Sequence, residues 1–319
     1  MPCGNQWMKP RFGRMNDYLN ILPEVQDALN AGRAVVALES TIVAHGMPYP
    51  QNLETAQQLE ATVRKGGAVP ATVAVVNGKL QVGCSALDLK ALATDPGVLK
   101  VSRRDLPLAL ARRTLGATTV SGTLIGCELA GIRVFATGGI GGVHRGVDQS
   151  WDISADIPEL AKSSVAVVSA GAKSILDLPK TLEALETAGV TVVGYDTDEF
   201  PAFFTPHSGL KAPHRVNNPE EMANAMRAKW SLGLEGGFLI ANPIPDEFSA
   251  DPKQVQRAIE EGLAQADVEG ISGKDLTPFL LRFVNDKTEG KSLQANRALV
   301  QHNVRVGTAV AVAFASLSS

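Results

Sequence analysis

Short apolar runs alternate with longer amphipathic stretches along most of the chain. Residues 34–38, 165–168 and 190–194 are strand-like and rich in Val and Ala, whereas residues 53–65 and 253–268 have the apolar spacing of amphipathic helices. Strands that alternate with helices pack as a sheet covered on both faces. We therefore predict an α/β protein with three layers, α/β/α, built as a single domain, because no linker or internal repeat interrupts the alternation.

One turn signal indicates that the sheet is not wholly parallel. The pair Asn77-Gly78 separates two strand-like runs, residues 71–76 and 79–82. Asn-Gly is favoured in two-residue hairpin turns, and a hairpin joins antiparallel strands. The sheet is thus predicted to be mixed and mostly parallel. Residues 277–317 are predicted to be helical throughout.

The composition is that of an ordinary globular protein, and it argues against several classes of partner. The net charge of −3 gives no basic field for nucleic acid, and no run approaches the ~18 apolar residues of a membrane span. Three scattered cysteines fit a reducing compartment, so we expect a cytoplasmic protein. Residues 1–18 are expected to be a disordered extension, and residues 19–319 the folded domain.

One lysine, Lys173, lies where a buried strand is expected to give way to a helix. An apolar run at residues 165–168 is followed by the small residues 169–172, and a helical spacing begins at Ile175. Ligands of α/β sheets bind at the carboxyl ends of strands, and a partly desolvated lysine there can attack a carbonyl carbon. The alternative is a lysine solvated at the start of a helix, which this segment alone leaves open.

Two other segments carry ionisable groups that suit a site. Glu39 follows a strand-like run, where a half-buried carboxyl group can have a raised pKa and donate a proton, or can simply cap the next turn. Lys100, Arg103 and Arg104 lie within five residues of one another. They predict an anion or phosphate site, the alternative being a solvated basic loop with Arg–Asp pairs.

The glycine-rich residues 138–146 are the densest candidate for ligand binding. Successive backbone N–H groups of such a loop can hold a phosphate, and Thr137 and His144 are candidates for the same role. The segment matches neither a P-loop nor a dinucleotide fingerprint. Asp152 and Asp156 follow it, and such oxygen ligands suit Mg²⁺ or Mn²⁺. At a spacing of four they would share one helix face, unless one of them caps a helix.

Several unbroken strings together are similar to one enzyme family. They are residues 36–41, 45–48, 100–107, 117–120, 135–146, 152–156 and 170–177. From about Leu19 to its end, the chain resembles the pseudouridine-5′-phosphate glycosidases. This resemblance implies a homotrimeric α/β/α enzyme of pseudouridine and nucleotide catabolism. It would reversibly cleave pseudouridine 5′-phosphate to uracil and ribose 5-phosphate, and it would count among the carbon–oxygen hydro-lyases.

The same resemblance implies a role for eight positions. Lys173 matches the covalent nucleophile and Glu39 the proton donor. Asp152 matches the ligand of a divalent metal, typically Mn²⁺ or another cation such as Mg²⁺. The positions that match substrate contacts are Lys100, Val120, Ser154, Ala155 and Asp156.

The bond to be broken gives these assignments a chemical rationale. Pseudouridine joins ribose C1′ to uracil C5, so the leaving atom is a carbon with no lone pair to protonate. A lysine bonded to C1′ of the opened ribose can take up positive charge while Glu39 protonates C5, which leaves a Schiff base. The alternatives are a glycosidase of another nucleoside 5′-phosphate, a sugar kinase or phosphotransferase, and a sugar-phosphate binding protein without activity.

Overall fold

The computed structural model describes residues 16–317, except for the side chain of residue 274. Its strands are β1 (Leu19–Ile21), β2 (Val35–Leu38), β3 (Val69–Val76), β4 (Lys79–Val82), β5 (Leu99–Val101), β6 (Gly116–Thr118), β7 (Val134–Ala136), β8 (Ala166–Ser169), β9 (Thr191–Tyr195), β10 (His214–Val216) and β11 (Phe238–Ala241). Its helices are α1 (Pro23–Asn30), α2 (Thr41–His45), α3 (Gln51–Lys65), α4 (Ala86–Thr94), α5 (Leu106–Ala111), α6 (Val120–Ala130), α7 (Val147–Ser150), α8 (Asp156–Lys162), α9 (Leu178–Thr187), α10 (Pro219–Ser231), α11 (Pro252–Glu269), α12 (Leu276–Lys287) and α13 (Lys291–Ser316).

These strands form one mixed, mostly parallel sheet in the order β1-β4-β3-β2-β7-β8-β11-β9-β10, and β5 and β6 join it through β3. Among the strands of residues 16–317, the antiparallel pairs are β3 with β4 and β3 with β6, and the other pairs are parallel. The hairpin prediction is confirmed, since Val76 pairs with Lys79 and both turn residues have positive φ, 52° at Asn77 and 78° at Gly78. The predicted fold class is likewise confirmed.

Helices cover both sides of the sheet. On one side α3 and α10 each pack against α13, and on the other lie α6, α8 and α9. The long α13 crosses β2, β7 and β8, where a Cβ on Gly307 would lie only 3.2 Å from the Cβ of Ala136. A glycine at this contact therefore lets the helix backbone approach the centre of the sheet. No helix in the described part of the chain combines the length and hydrophobicity needed to cross a bilayer.

The carboxyl-terminal region is not one continuous helix, so that prediction is wrong. α12 ends at Lys287 and α13 begins at Lys291. Between them Glu289 has φ 52° and Gly290 has φ 82°, both in the left-handed region that stops a right-handed helix. The break separates the hairpin of α11 and α12 from the helix that packs on the sheet.

The amino-terminal extension was predicted to span residues 1–18. Residues 1–15 lie outside the described residues, so the prediction stays a prediction there. Residues 16–18 lead into β1, and the carbonyl oxygen of Tyr18 accepts a hydrogen bond from Leu80 N at 2.7 Å. This contact places the start of the described chain beside β4.

Candidate active site

All eight predicted positions line one cavity of about 430 Å³. They are Glu39, Lys100, Val120, Asp152, Ser154, Ala155, Asp156 and Lys173. Glu39 follows β2 and Lys173 follows β8, while the glycine-rich loop between them follows β7. Since β2, β7 and β8 are adjacent parallel strands, the cavity lies at their carboxyl ends, where open α/β sheets bind ligands.

The Glu39 carboxyl group is held by two hydroxyl groups. Thr41 Oγ1 donates to Glu39 Oε2, and Thr137 Oγ1 donates to Glu39 Oε1. Burial raises the pKa of Glu39, although the Lys173 ammonium and the Thr137 hydroxyl oppose that shift by favouring the charged form. A buried carboxyl group with a raised pKa and fixed oxygens can act as a proton donor.

Lys173 is half-buried, and its side chain points back toward the glycine-rich loop. Lys173 Nζ donates to Gly139 O at 2.6 Å, and the backbone N of Lys173 donates to Ile140 O at 3.1 Å. The lysine was expected at the start of a helix, but α9 begins only at Leu178, with Asp177 as its N-cap. Lys173 therefore lies on a loop that is hydrogen-bonded to the glycine-rich loop, and it precedes Asp177, the N-cap of α9.

Three consecutive residues connect the two proposed catalytic groups. Thr137 donates to Glu39, and Gly139 accepts from Lys173. We call Thr137–Gly139 the bridging segment. A Cβ on Gly139 would lie 2.6 Å from the ring of Phe203, so only glycine allows the segment to pass between that ring and the cavity. The position of the segment thus fixes both groups relative to each other.

The basic cluster at β5 and the turn after it lies at the cavity, where all three cations contribute to the wall. Lys100 is the most enclosed of them, and its pKa is lowered by burial and by the Lys173 ammonium. Arg103 also binds the buried Glu159 on α8, with Nη2 2.6 Å from Oε1. Arg104 is exposed, 4.0 Å from Asp105. The cations predicted for an anion site therefore meet at one cavity, although Arg103 is engaged in an ion pair and Arg104 lies beside an aspartate.

Of the two alternatives for Asp152 and Asp156, a shared helix face does not hold, and Asp156 lies instead at the start of a helix. α8 begins at Asp156, and Asp152 precedes it on a loop. Asp156 is buried, and its two carboxyl oxygens accept from Ser121 N at 2.9 Å and Gly141 N at 2.8 Å. The aspartate thereby joins the start of α6, beside Val120, to the glycine-rich loop.

Four of the nine N–H groups in the glycine-rich loop are bonded within the protein. Those of Ile140, Val143 and His144 donate to Gly171 O, Thr181 Oγ1 and Asp152 O, and that of Gly141 donates to Asp156 Oδ2. These bonds interrupt the run of successive N–H groups that a phosphate cradle over residues 140–144 would need. The glycines of the loop serve close packing instead, since a Cβ on Gly141 would lie 2.2 Å from Ser154 Oγ.

The groups around Asp152 suit a cation that keeps several of its bound waters better than one that is coordinated entirely by protein atoms. Asp152 is half-buried, and its Oδ2 lies 4.0 Å from His144 Nδ1. Burial lowers the pKa of His144, with Asp152 opposing the shift, so the imidazole is neutral near pH 7. The described residues contain no cluster of three or more His, Cys, Asp or Glu that could hold a metal. A carboxylate with a neutral imidazole still fits Mn²⁺ or Mg²⁺ that keeps several waters.

Part of the cavity wall was missed by sequence reasoning. Leu281 of α12 lines it, as does Phe203. No local pattern marks these residues, because only the folded arrangement brings α12 over the sheet edge. Asn296 of α13 also lines the cavity, half-buried.

Comparison with known proteins identifies the family of this chain. The family model for indigoidine synthase A like proteins matches residues 24–313. The pseudouridine-5′-phosphate glycosidase of Caldanaerobacter subterraneus is 57% identical over 298 residues, which cover 93% of this chain and 97% of the relative. The enzyme of the same name from Petrotoga mobilis is 54% identical over 301 residues, covering 94% and 98%.

Two solved structures share the fold. The prealnumycin C-glycosynthase AlnA, in complex with ribulose 5-phosphate, matches with a TM-score of 0.88 and 39% identity, covering 95% of this chain and 99% of that one. An indigoidine synthase A like protein of Thermotoga maritima matches with a TM-score of 0.85 and 33% identity, with the same coverage. The chain therefore belongs to the indigoidine synthase A like family, that of the pseudouridine-5′-phosphate glycosidases.

Proposed function

We propose that this chain is an enzyme that reversibly cleaves the carbon–carbon glycosidic bond of pseudouridine 5′-phosphate, giving uracil and ribose 5-phosphate. The observation that carries the proposal is one cavity in which an amine, Lys173, and a carboxyl group of raised pKa, Glu39, are attached to the same bridging segment. The names of the relatives support the substrate, and the complex of AlnA with ribulose 5-phosphate supports a pentose phosphate ligand.

The first step is opening of the ribose ring. The uncharged amine of Lys173 attacks C1′, the C1′–O4′ bond breaks, and O4′ leaves with a proton. Glu39 is an acid of raised pKa bound to the same segment as the amine, so we assign that proton to its carboxyl group. The product is an open-chain ribose 5-phosphate joined at C1′ to both the Lys173 nitrogen and uracil C5.

The second step breaks the carbon–carbon bond. Attack on C1′ leaves the Lys173 nitrogen as an ammonium, which gives a proton to the Glu39 carboxylate and so regains its lone pair. Glu39 then delivers that proton to C5, which makes uracil a neutral leaving group. The lone pair on the Lys173 nitrogen forms the C1′=N bond as the C1′–C5 bond breaks. The electron pair of the broken bond stays with the uracil ring, which the proton on C5 keeps neutral, so no free carbanion forms. Water then adds to the Schiff base at C1′, and ribose 5-phosphate leaves as the amine is restored.

The remote phosphate supplies binding energy for this difficult step. Lys100, Arg103 and Arg104 are cations at the cavity wall, and His144 lines the same cavity. Thr137 is buried and its hydroxyl donates to Glu39, so we do not assign it to the phosphate. Because the N–H groups of residues 140, 141, 143 and 144 are bonded internally, we assign the phosphate to side chains, with Lys100 as its main partner.

The test of the proposed function is release of free uracil. Incubation of the protein with pseudouridine 5′-phosphate and Mn²⁺, followed by chromatography, should show uracil and ribose 5-phosphate in equal amounts. Uridine 5′-phosphate serves as the control for a carbon–nitrogen glycosidase, and ATP turnover for a kinase. Cleavage of the control nucleotide alone, or ATP hydrolysis without uracil, would replace the proposal with one of those alternatives.

The rate of uracil release should depend on the pKa of Glu39. Burial raises that pKa, so the limb of the pH–rate profile that reflects ionisation of Glu39 should lie at a pH above the usual range of carboxyl pKa values. Thr137→Val removes a hydrogen bond that stabilises the carboxylate, so the pKa should rise further and the limb should move to higher pH. Profiles of kcat/KM for both proteins check this, and a limb that moves to lower pH would contradict it.

We also propose that a divalent cation, Mn²⁺ or Mg²⁺, is held by Asp152 with His144 beside it. When bound, such a cation would neutralise negative charge near the phosphate and orient water. A chelator should therefore suppress uracil release, and added Mn²⁺ should restore it. In Asp152→Asn, binding of Mn²⁺ measured by electron paramagnetic resonance without substrate should weaken by roughly 10-fold or more. Full activity in excess chelator would show that uracil release does not require a divalent cation.

Homotrimeric assembly stays a prediction from the family resemblance. Light scattering of the purified protein would give the number of subunits directly. A mass of one or two chains, each 33.6 kDa, would contradict it.

A further inference from the structure

The bridging segment is held from behind by an asparagine of the last helix. Asn303 on α13 is fully buried, and its Nδ2 donates to Thr137 O at 2.8 Å and to Gly138 O at 3.3 Å. Asn303 is not among the residues that line the cavity. It therefore contacts the backbone of the segment and not the space that a substrate would fill.

The orientation of this side chain is determined by its partners. Two carbonyl oxygens can only accept hydrogen bonds, so the amide nitrogen of Asn303 must face them. Its Oδ1 then accepts from Asn242 Nδ2 at 2.9 Å. Asn242 follows β11, is also buried, and donates its backbone N–H to Ser169 O at 2.8 Å. The two amides form a buried chain from the end of β8 to the bridging segment.

We propose that Asn303 is a positioning residue for the reaction proposed above, and the inference rests on that function. Its carboxamide fixes the carbonyls of Thr137 and Gly138, so that Glu39 and Lys173 stay at the separation that proton donation and amine attack require. Backbone hydrogen bonds also tie the segment to β8 and the residue after it, from Thr137 N to Val168 O at 3.0 Å and from Ala170 N to Gly138 O at 2.9 Å. Asn303 adds a further hold from α13, and its shorter hydrogen bond is to the carbonyl of Thr137, the residue that binds Glu39.

Loss of the anchor has a defined consequence for both groups. If the segment shifts, the Thr137 hydroxyl moves from Glu39, and Gly139 no longer directs Lys173. Misplacement by about 1 Å can cost roughly 100-fold in rate. The charges that act on Glu39 are Lys173 and Lys100, which lower its pKa, and Asp156, which raises it. Loss of the hydroxyl contact and withdrawal of Lys173 both act in the same direction, raising the pKa of Glu39.

The test compares Asn303→Leu with a control on the same helix. Leucine keeps the approximate volume but offers the two carbonyls no donor. We expect kcat for uracil release to fall by about 10- to 100-fold, while KM changes by less than about 3-fold. Thr308→Val is the control, because Thr308 is equally buried on α13 and its hydroxyl donates only to Val304 O of that helix among the described hydrogen bonds. Its kcat should match the parent.

A second measurement needs no substrate. The Glu39 carboxyl group is titrated by ¹³C NMR, and its signal is assigned as the one that disappears in Glu39→Gln. The pKa of Glu39 should be higher in Asn303→Leu than in the parent. Should Asn303→Leu not fold, Asn242→Ala frees the Asn303 amide to rotate, and the same changes should appear at smaller size. A folded Asn303→Leu protein with parental kcat and an unchanged Glu39 titration would overturn the positioning role. Absence of uracil from the parent would overturn the proposed function, and the titration would still decide the role of Asn303.

Discussion

Lys173→Ala is expected to reduce uracil release from pseudouridine 5′-phosphate by at least about 10³-fold. The variant removes the nitrogen that accepts positive charge as the carbon–carbon bond breaks, and no other group in the proposed mechanism does so. The fold should persist, because the side chain makes one hydrogen bond at the cavity, to Gly139 O. Steady-state assays and circular dichroism of the two proteins measure both quantities.

A matched control for this variant is Lys229→Ala. Lys229 is also half-buried, and its Nζ also binds a glycine carbonyl, Gly237 O, at 3.0 Å, but it lies outside the cavity. The control should keep parental kcat even if its thermal stability falls. If Lys173→Ala released uracil at a rate within 10-fold of the parent, the covalent role of Lys173 would be excluded.

Glu39→Gln is expected to lower the rate of bond cleavage by about 10²- to 10⁴-fold, with a much smaller change in substrate affinity. Glutamine keeps the shape of the side chain and can still meet the hydroxyls of Thr41 and Thr137, but it has no proton to give. Single-turnover kinetics separate cleavage from binding, and calorimetry with ribose 5-phosphate gives the affinity.

Glu60→Gln is the matched control for that experiment. Glu60 also has a pKa raised by burial and also accepts from a threonine hydroxyl, Thr72 Oγ1 at 2.6 Å, yet it lies on α3 outside the cavity. Its substitution should leave cleavage unchanged. Equal losses in the two variants would indicate a general effect on stability and not proton donation by Glu39.

The sequence was sufficient to predict the layers of the fold and the residues that meet in the cavity. Alternating apolar runs indicated a sheet with helices on both sides, and Asn77-Gly78 located the antiparallel hairpin. Polar residues directly after strand-like runs, such as Glu39 and Lys173, had to emerge at one sheet edge once β2 and β8 were parallel. The roles of those residues, by contrast, stay predictions from resemblance and chemistry.

What could not be predicted depends on contacts between distant segments. The glycine-rich loop suggested a phosphate cradle, yet the N–H groups of Gly141 and Val143 bond to Asp156 and Thr181, which lie 15 and 38 residues further on. Asn296 lines the cavity, whereas Asn303, two turns later, is buried and holds the bridging segment. Their spacing places Asn296 and Asn303 on one face of the helix, but it does not show which segment of the chain packs against that face.

The central claim is a covalent bond between Lys173 and C1′ of the pentose, and borohydride trapping tests it most directly. Reduction during turnover should convert the Schiff base to a stable secondary amine. Peptide mass spectrometry should then find ribose 5-phosphate attached to the peptide that contains Lys173, and no adduct in Lys173→Ala. An adduct on Lys100 instead, or none at all while uracil is being released, would contradict the account.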